Sequence, residues 1–147
     1  MRIGLVSDTH NLLRPQVLDF LRGSDHIVHA GDICGPQVLQ ALAALGPLTV
    51  VRGNNDRGDW AVSLPHAETV HFGKIAVHVI HDLGELALPD GVRVVVSGHS
   101  HRPRVEERAG VLYVNPGSAG PRRFKLPISA GELLVRGDSV SARIVEF

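Results

Sequence analysis

Three apolar runs in the first third of the chain each stop at a polar block. They are Arg2 to Ser7 before Asp8-Thr9-His10, His26 to Ala30 before Gly31-Asp32, and Leu48 to Val51 before Gly53-Asn54-Asn55-Asp56. Runs of this length read as buried strands. Between them, Val17, Leu18 and Leu21 follow Pro15, and Val38, Leu39, Leu42 and Leu45 follow Pro36, at helical spacing. Proline suits a helix's first turn, while Gly23 and Gly46-Pro47 supply the stops. The alternation predicts strand-helix-strand-helix-strand. Short, right-handed connections then favour a largely parallel sheet with helices packed against it.

The second half changes character. Glu68 to Phe72, the turn Gly73-Lys74 and Ile75 to Ile80 read as a hairpin. The segment Leu83 to Leu88 reads as one loose helical turn before Pro89-Asp90-Gly91. Further strands are predicted at Val92 to Val96, Arg104 to Arg108, Val111 to Val114, Glu132 to Arg136 and Val140 to Phe147. With no linker or repeat visible, the expected architecture is a single α/β domain over residues 1–147. It would have two packed mixed β-sheets flanked by helices, in a four-layer sandwich.

Composition excludes several classes. Lys plus Arg, 15 residues, equals Asp plus Glu, also 15, so there is no basic excess for gripping nucleic acid. The single cysteine, Cys34, rules out an internal disulfide and any zinc site built on paired thiolates. The first apolar run is cut by Asp8 and is too short for a secretory leader. The mostly apolar stretch Val38 to Val51 is broken by Gln40, Gly46 and Pro47 and falls short of the ~20 residues a membrane span needs. A soluble cytoplasmic protein without a membrane partner is expected.

Chemistry-bearing residues gather where strands end: Asp8 and His10, Asp32, Asn54, His81, and then His99 and His101. In open α/β sheets, ligands bind beyond the carboxyl ends of the strands. Two carboxylates, one amide oxygen and four imidazoles are too many for one ion and suit two that share a carboxylate. Oxygen and imidazole without thiolate favour manganese, iron, zinc or cobalt over calcium or copper(I). Paired ions about 3.5–4 Å apart clamp a phosphoryl group and activate water. Because Asp8 and His10 are two apart in a segment read as extended, they are expected to project to the same side.

These blocks, Asp8-Thr9-His10, Gly31-Asp32, Gly53-Asn54 and Gly98-His99-Ser100-His101, together with Asn115-Pro116-Gly117-Ser118, resemble the calcineurin-like metallophosphoesterase superfamily. Within it, the resemblance is to the small bacterial and archaeal phosphodiesterases, and it covers essentially the whole chain. It implies that Asp8, His10 and His101 hold one metal and that Asn54, His81 and His99 hold the second. Asp32 would bridge the two, with a hydroxide between the ions as nucleophile. Asp32, Asn54 and His99 are the implied catalytic group. The implied cofactors are two divalent ions, manganese foremost, with zinc, iron, nickel or cobalt as alternatives.

Two departures from the family pattern stand out. A histidine that usually follows the metal-binding asparagine is replaced by Asn55, which supplies no proton at neutral pH. Good leaving groups such as nitrophenolate should therefore be favoured, with Asp56 as either a substitute acid or a turn residue. The usual His-Gly-His reads His81-Asp82-Leu83. Asn11, Asn55 and Arg122 are candidate substrate contacts, although Arg122 and Arg123 read equally as a solvated pair. His29 is read as packed in its strand, or as orienting a ligand. His26, His66, His71 and His78 are read as structural or surface residues.

The expected activity is hydrolysis of a small phosphodiester by a metal-dependent phosphoric diester hydrolase. Nucleic acid is disfavoured as substrate, and a homo-oligomer is left open. The alternatives are a phosphomonoesterase or nuclease on the same site, or a non-catalytic protein-binding scaffold of the retromer-subunit type.

Overall fold

In the computed structural model, which describes residues 1–147, the alternating first half forms a parallel core. Strands β1 (Arg2–Val6), β2 (His26–His29) and β3 (Leu48–Val50) lie side by side, with Leu5 opposite Val28 and Val28 opposite Thr49. Helices α1 (Pro15–Leu21) and α2 (Pro36–Ala43) are the crossovers, each with proline in its first turn. A short helix, α3 (Asp59–Val62), was not predicted, since four residues carry too little periodicity to detect.

The hairpin β4 (Ala67–Phe72) and β5 (Ile75–Ile80) turns at Gly73-Lys74. After it come the 3₁₀ turn Leu83–Glu85, β6 (Val92–Val96), β7 (Arg104–Arg108), β8 (Val111–Asn115), β9 (Ser129–Arg136) and β10 (Ser139–Glu146). Strand β9 starts three residues earlier than expected. Ser129, Ala130 and Gly131 lack an apolar pattern, yet they pair with Glu146, Val145 and Ile144 of β10.

Two five-stranded sheets result, in the orders β10-β9-β1-β2-β3 and β4-β5-β6-β8-β7. Both are mixed. In the first, β9 runs antiparallel to β1. In the second, β5, β6 and β8 are parallel between antiparallel edges.

The main core lies between the sheets. Ile3, Leu5, Val28 and Val51 face Val77, Val79, Val94, Val96 and Val114, as the period of two along each strand requires. On the outer face of the first sheet, Val6 and Ile27 meet Val17 and Leu21 of α1 and Val38 and Leu42 of α2. The outer face of the second sheet holds a smaller cluster of Ile80, Val92 and Val95, against which Leu86 and Tyr113 pack. Its helical cover amounts to the 3₁₀ turn. Each fully buried Val, Leu or Ile contributes about 1.5–3 kcal/mol, so this inter-sheet layer holds the two halves together. No helix is long and apolar enough to cross a membrane.

Candidate metal centre

The carboxyl ends of β1, β2 and β3 point the same way, and those of β5 and β6 meet them from the other sheet. Backbone bonds stitch the loops together: Asp8 N donates to Gly31 O (3.0 Å), His10 N to Asp32 O (3.0 Å) and Gly98 N to His81 O (3.0 Å). The His81 ring crosses between sheets, its Nδ1 donating to the Ala30 carbonyl at 2.7 Å. That bond leaves Nε2 as the nitrogen directed into the centre.

Asp8 and His10 converge, but not by strand alternation. Their φ angles are +54° and +45°, and Asp32, His99 and His101 are also left-handed, at +57°, +72° and +60°. Five of the seven predicted ligands thus adopt a backbone that L-residues rarely occupy. Such strain persists only where the surroundings over-determine it, and it clusters at functional sites. The expectation of an extended Asp8–His10 segment is corrected accordingly: the chain leaves β1 and curls, aiming both side chains inward.

Asp8 is fully buried. Its Oδ2 accepts from Ser7 Oγ (2.7 Å) and from His99 N (3.1 Å), which leaves Oδ1 buried with no hydrogen-bond partner. Around Oδ1 stand His101 Nε2 at 3.3 Å, His10 Nε2 at 3.8 Å and His81 Nε2 at 3.9 Å. His10 Nε2 is likewise buried and unpartnered, and lies 3.6 Å from Asp32 Oδ2. Gly98 passes so close that a side chain there would strike Ser7 Oγ and Asp8 Oδ2.

Asp32 is buried and held by Asn55, whose backbone N–H donates to Oδ1 and whose Nδ2 donates to Oδ2, each at 2.8 Å. Asp32 Oδ2 faces His81 Nε2 at 3.4 Å. Burial pushes the Asp32 carboxyl up, but the bonds from His81 and Asn55 outweigh it and hold the group well below the ordinary carboxylate range. Burial pushes His81 down, while the Asp32 contact and the charges of Asp8 and Asp32 pull it up, and the net direction is up.

Asn54 Oδ1 lies 3.0 Å from His81 Nε2 and 3.1 Å from His99 Nδ1. All seven predicted ligands are therefore brought together. Five of the seven supply donor atoms to two tight groups, Asp8 with His10 and His101, and Asp8 with Asp32 and His81. The structure adds Asp8 to the second group, and it sets His99 further out, beside Asn54. Two buried, unpartnered ligand atoms among imidazoles and carboxylates are what a divalent cation would satisfy, and the residues present fit one.

The predicted substrate contacts are placed differently. Asn55 is exposed, and its backbone N–H and one of its two Nδ2 hydrogens bond Asp32. Asn11 is exposed, and its Oδ1 accepts from Gln37 Nε2 at 2.5 Å. Arg122 is exposed on the segment that follows Ser118. Asp56 is neither exposed nor an acid in waiting. It is buried, and its carboxylate accepts from the N–H groups of Asp32 (3.0 Å), Gly53 (2.8 Å) and Cys34 (2.8 Å).

The sequence reading gave Ser7 no role, and it gave the Asn115-to-Ser118 block none beyond family likeness. Ser7 orients Asp8. Ser118 Oγ donates to the Asp8 carbonyl at 3.2 Å, while Asn115 Nδ2 donates to Gly98 O (3.0 Å) and to Ser100 Oγ (3.1 Å). The Asn115-to-Ser118 block thus braces both ligand loops. His29 is fully buried: Gly31 N donates to its Nδ1 (3.0 Å), so Nε2 carries the proton towards Thr9 Oγ1 (3.0 Å), which donates to Ile33 O (3.1 Å). Burial pushes this imidazole down to about 3. Cys34 Sγ lies 3.7 Å from His10 Nδ1, and burial with the nearby Asp56 and Asp32 charges pushes its thiol up to about 11.

Beside Asn54 and His81 opens a cleft of about 360 Å³, lined also by Arg57, Leu64, His66, Asp82 and Glu85. His66, read from sequence as a structural or surface residue, is on its wall and meets Glu85 Oε2 at 2.9 Å. No local pattern marked it, because α3 and its flanking turns carry it there.

The centre's likeness to known proteins agrees with its chemistry. A sequence profile of the calcineurin-like phosphoesterase superfamily domain matches residues 1–137. A probable metallophosphoesterase of Methanothermobacter thermautotrophicus is 32% identical, over 99% of this chain and 92% of its own length. One from Methanocaldococcus jannaschii is 30% identical, over 99% and 81%. Among solved structures, Vps29 of Chaetomium thermophilum superposes with a TM-score of 0.81 at 21% identity, covering 99% of this chain and 97% of its own. Yfce, a phosphoesterase from E. coli, gives 0.71 at 26% identity, covering 90% and 88%. From β1 to β9, the chain belongs to the calcineurin-like phosphoesterase superfamily.

Proposed function

We propose that this protein is a phosphodiesterase that works with two divalent ions, manganese foremost. The observation that carries the reading is the pair of buried, unpartnered atoms, Asp8 Oδ1 and His10 Nε2, set among the other ligands. Asp8, His10 and His101 would hold one ion and Asn54, His81 and His99 the other, with Asp32 shared. Bound there, the ions would supply an activated water and neutralise charge on the phosphoryl group.

The chain's own residues prepare that centre. Ser7 and the His99 N–H fix the Asp8 carboxylate, and Asn55 fixes both oxygens of Asp32. His99, with a side chain 47% exposed against 4% for His81 and His101, is the imidazole open to an incoming phosphoryl oxygen. The cleft beside Asn54 leaves room next to the centre for a second ester group, which supports a diester over a monoester. The balanced formal charge speaks against a polymer substrate.

The test is to strip the protein of metal and assay bis(p-nitrophenyl) phosphate beside p-nitrophenyl phosphate while titrating manganese, zinc, nickel and cobalt. Metal-dependent turnover of the diester, well above the monoester, is expected. A protein that binds the ions yet turns over neither ester would be read as a binding scaffold, the fold it shares with Vps29.

A further inference from the structure

The segment Pro121 to Pro127 is exposed from Pro121 through Lys125 and carries Arg122, Arg123, Phe124 and Lys125 in succession. In a chain whose formal charges balance, this places three cations within four residues. None of the three is paired with a carboxylate, which, as for Arg14, Arg52, Arg57, Arg93, Arg102 and Arg136, leaves the cation free to meet an anion. Phe124 is 89% exposed, the most exposed large apolar side chain in the protein, and sits at φ +53°. A bare aromatic ring held in a left-handed conformation among unpaired cations gains nothing from packing. It stands free to meet a ligand.

The root of this loop is fastened to the metal centre. Ala119 N donates to Ser7 O (3.0 Å), and Ser118 Oγ bonds both Asp8 O (3.2 Å) and Pro121 O (3.0 Å). Arg14 Nε holds Gly120 O at 3.1 Å. Gly120 itself lies flat on the backbone of Thr9, where any side chain would collide with the Thr9 carbonyl. Thr9 stands between two of the ligands, Asp8 and His10. Three residues of chain reach at most about 11 Å, so Phe124 stays within that distance of Pro121.

We infer that this loop binds the nucleoside-phosphate part of a small nucleotide diester whose scissile phosphate sits on the metal centre. Phe124 stacks on the base, while Arg122, Arg123 and Lys125 meet a phosphate. A flat π-face on an aromatic ring and guanidinium groups on an anion are the two contacts such a ligand offers. The inference rests on the phosphodiesterase reading and narrows its substrate class.

Two measurements test it separately. Calorimetric titration of metal-free protein with adenosine 5′-monophosphate should show binding that weakens about tenfold in Phe124→Leu and more in the Arg122→Ala/Arg123→Ala/Lys125→Ala variant. Phe124→Trp should retain it, which a purely apolar role would not require. In the manganese-loaded enzyme, kcat/KM for thymidine 5′-(p-nitrophenyl) phosphate over that for methyl p-nitrophenyl phosphate should fall about tenfold in Phe124→Leu, through KM.

Equal ratios in wild type and variants, or no nucleotide binding by the wild type, would overturn the inference. So would binding of a single-stranded DNA oligomer far above the mononucleotide, which would make the loop a polymer track. Binding to phosphatidylserine vesicles without nucleotide binding would also overturn it, assigning the loop to a membrane surface. If neither ester is hydrolysed with any metal, the phosphodiesterase reading fails, while the titration still judges the loop.

Discussion

Asn55 donates two hydrogen bonds to Asp32, one from the backbone N–H and one from the side-chain amide, each at 2.8 Å. The residue next to one predicted ligand, Asn54, therefore acts on another, Asp32. Groups of this kind orient ligands and tune how tightly they hold an ion.

Removing the side-chain bond in Asn55→Ala should weaken manganese binding about 10- to 100-fold, as losses of such orienting partners do. Asn55→Asp should weaken it further, because a second carboxylate would face Asp32. Calorimetric titration of both variants checks this, and affinities equal to wild type would show that Asn55 is idle.

Asp56 receives three backbone N–H groups and is 1% exposed. Asp56→Ala strands those donors in a buried site, at about 1–3 kcal/mol for each one left unsatisfied. Urea unfolding should show a loss of about 3 kcal/mol or more. A change below 1 kcal/mol would mean that water replaces the carboxylate without cost.

His29 makes stability depend on pH. Its folded value of about 3 lies below the ordinary 6.5, so below pH 6.5 the unfolded chain takes up a proton that the folded chain refuses. Its contribution is constant above pH 6.5 and is lost as pH falls towards 3, at up to about 1.4 kcal/mol per unit. Unfolding of metal-free wild type and His29→Asn between pH 5 and 7.5 should give a stability difference with this slope. A flat difference would contradict the neutral, buried imidazole.

Asp8 and Asp32 both face His81 Nε2, at 3.9 and 3.4 Å, so an ion bound by these groups should stabilise the fold. At a manganese concentration about 100-fold above Kd, linkage gives about 2.7 kcal/mol, or roughly 5–10 °C in Tm for a domain of this size. Asp32→Asn should lose most of that shift and abolish turnover. Turnover near wild type in this variant would exclude a shared carboxylate.

Apart from α3, the order of strands and helices was legible in the sequence, as were the hairpin turn and the positions of all seven candidate ligands at strand ends. Each is carried by a local signal: a period of two or 3.6, a proline in the first helical turn, or a polar block closing an apolar run. Pro15–Leu21 forms as read because it buries one stripe, Val17 and Leu21, and Ile75–Ile80 because its near-continuous apolar run is buried on both faces of the sheet.

Tertiary structure alone decided how those ligands are aimed. Asp8 and His10 converge through left-handed turns held by bonds to the Asp32 loop, not through an extended strand. Asn55, Asp56, Ser118 and Asn115 acquire their roles from partners 15 to 110 residues away. His66 reaches the cleft only because α3 and its turns carry it there. Hydrogen bonds between distant loops leave no periodicity behind, so the chain encodes its elements locally but its centre only through the packed fold.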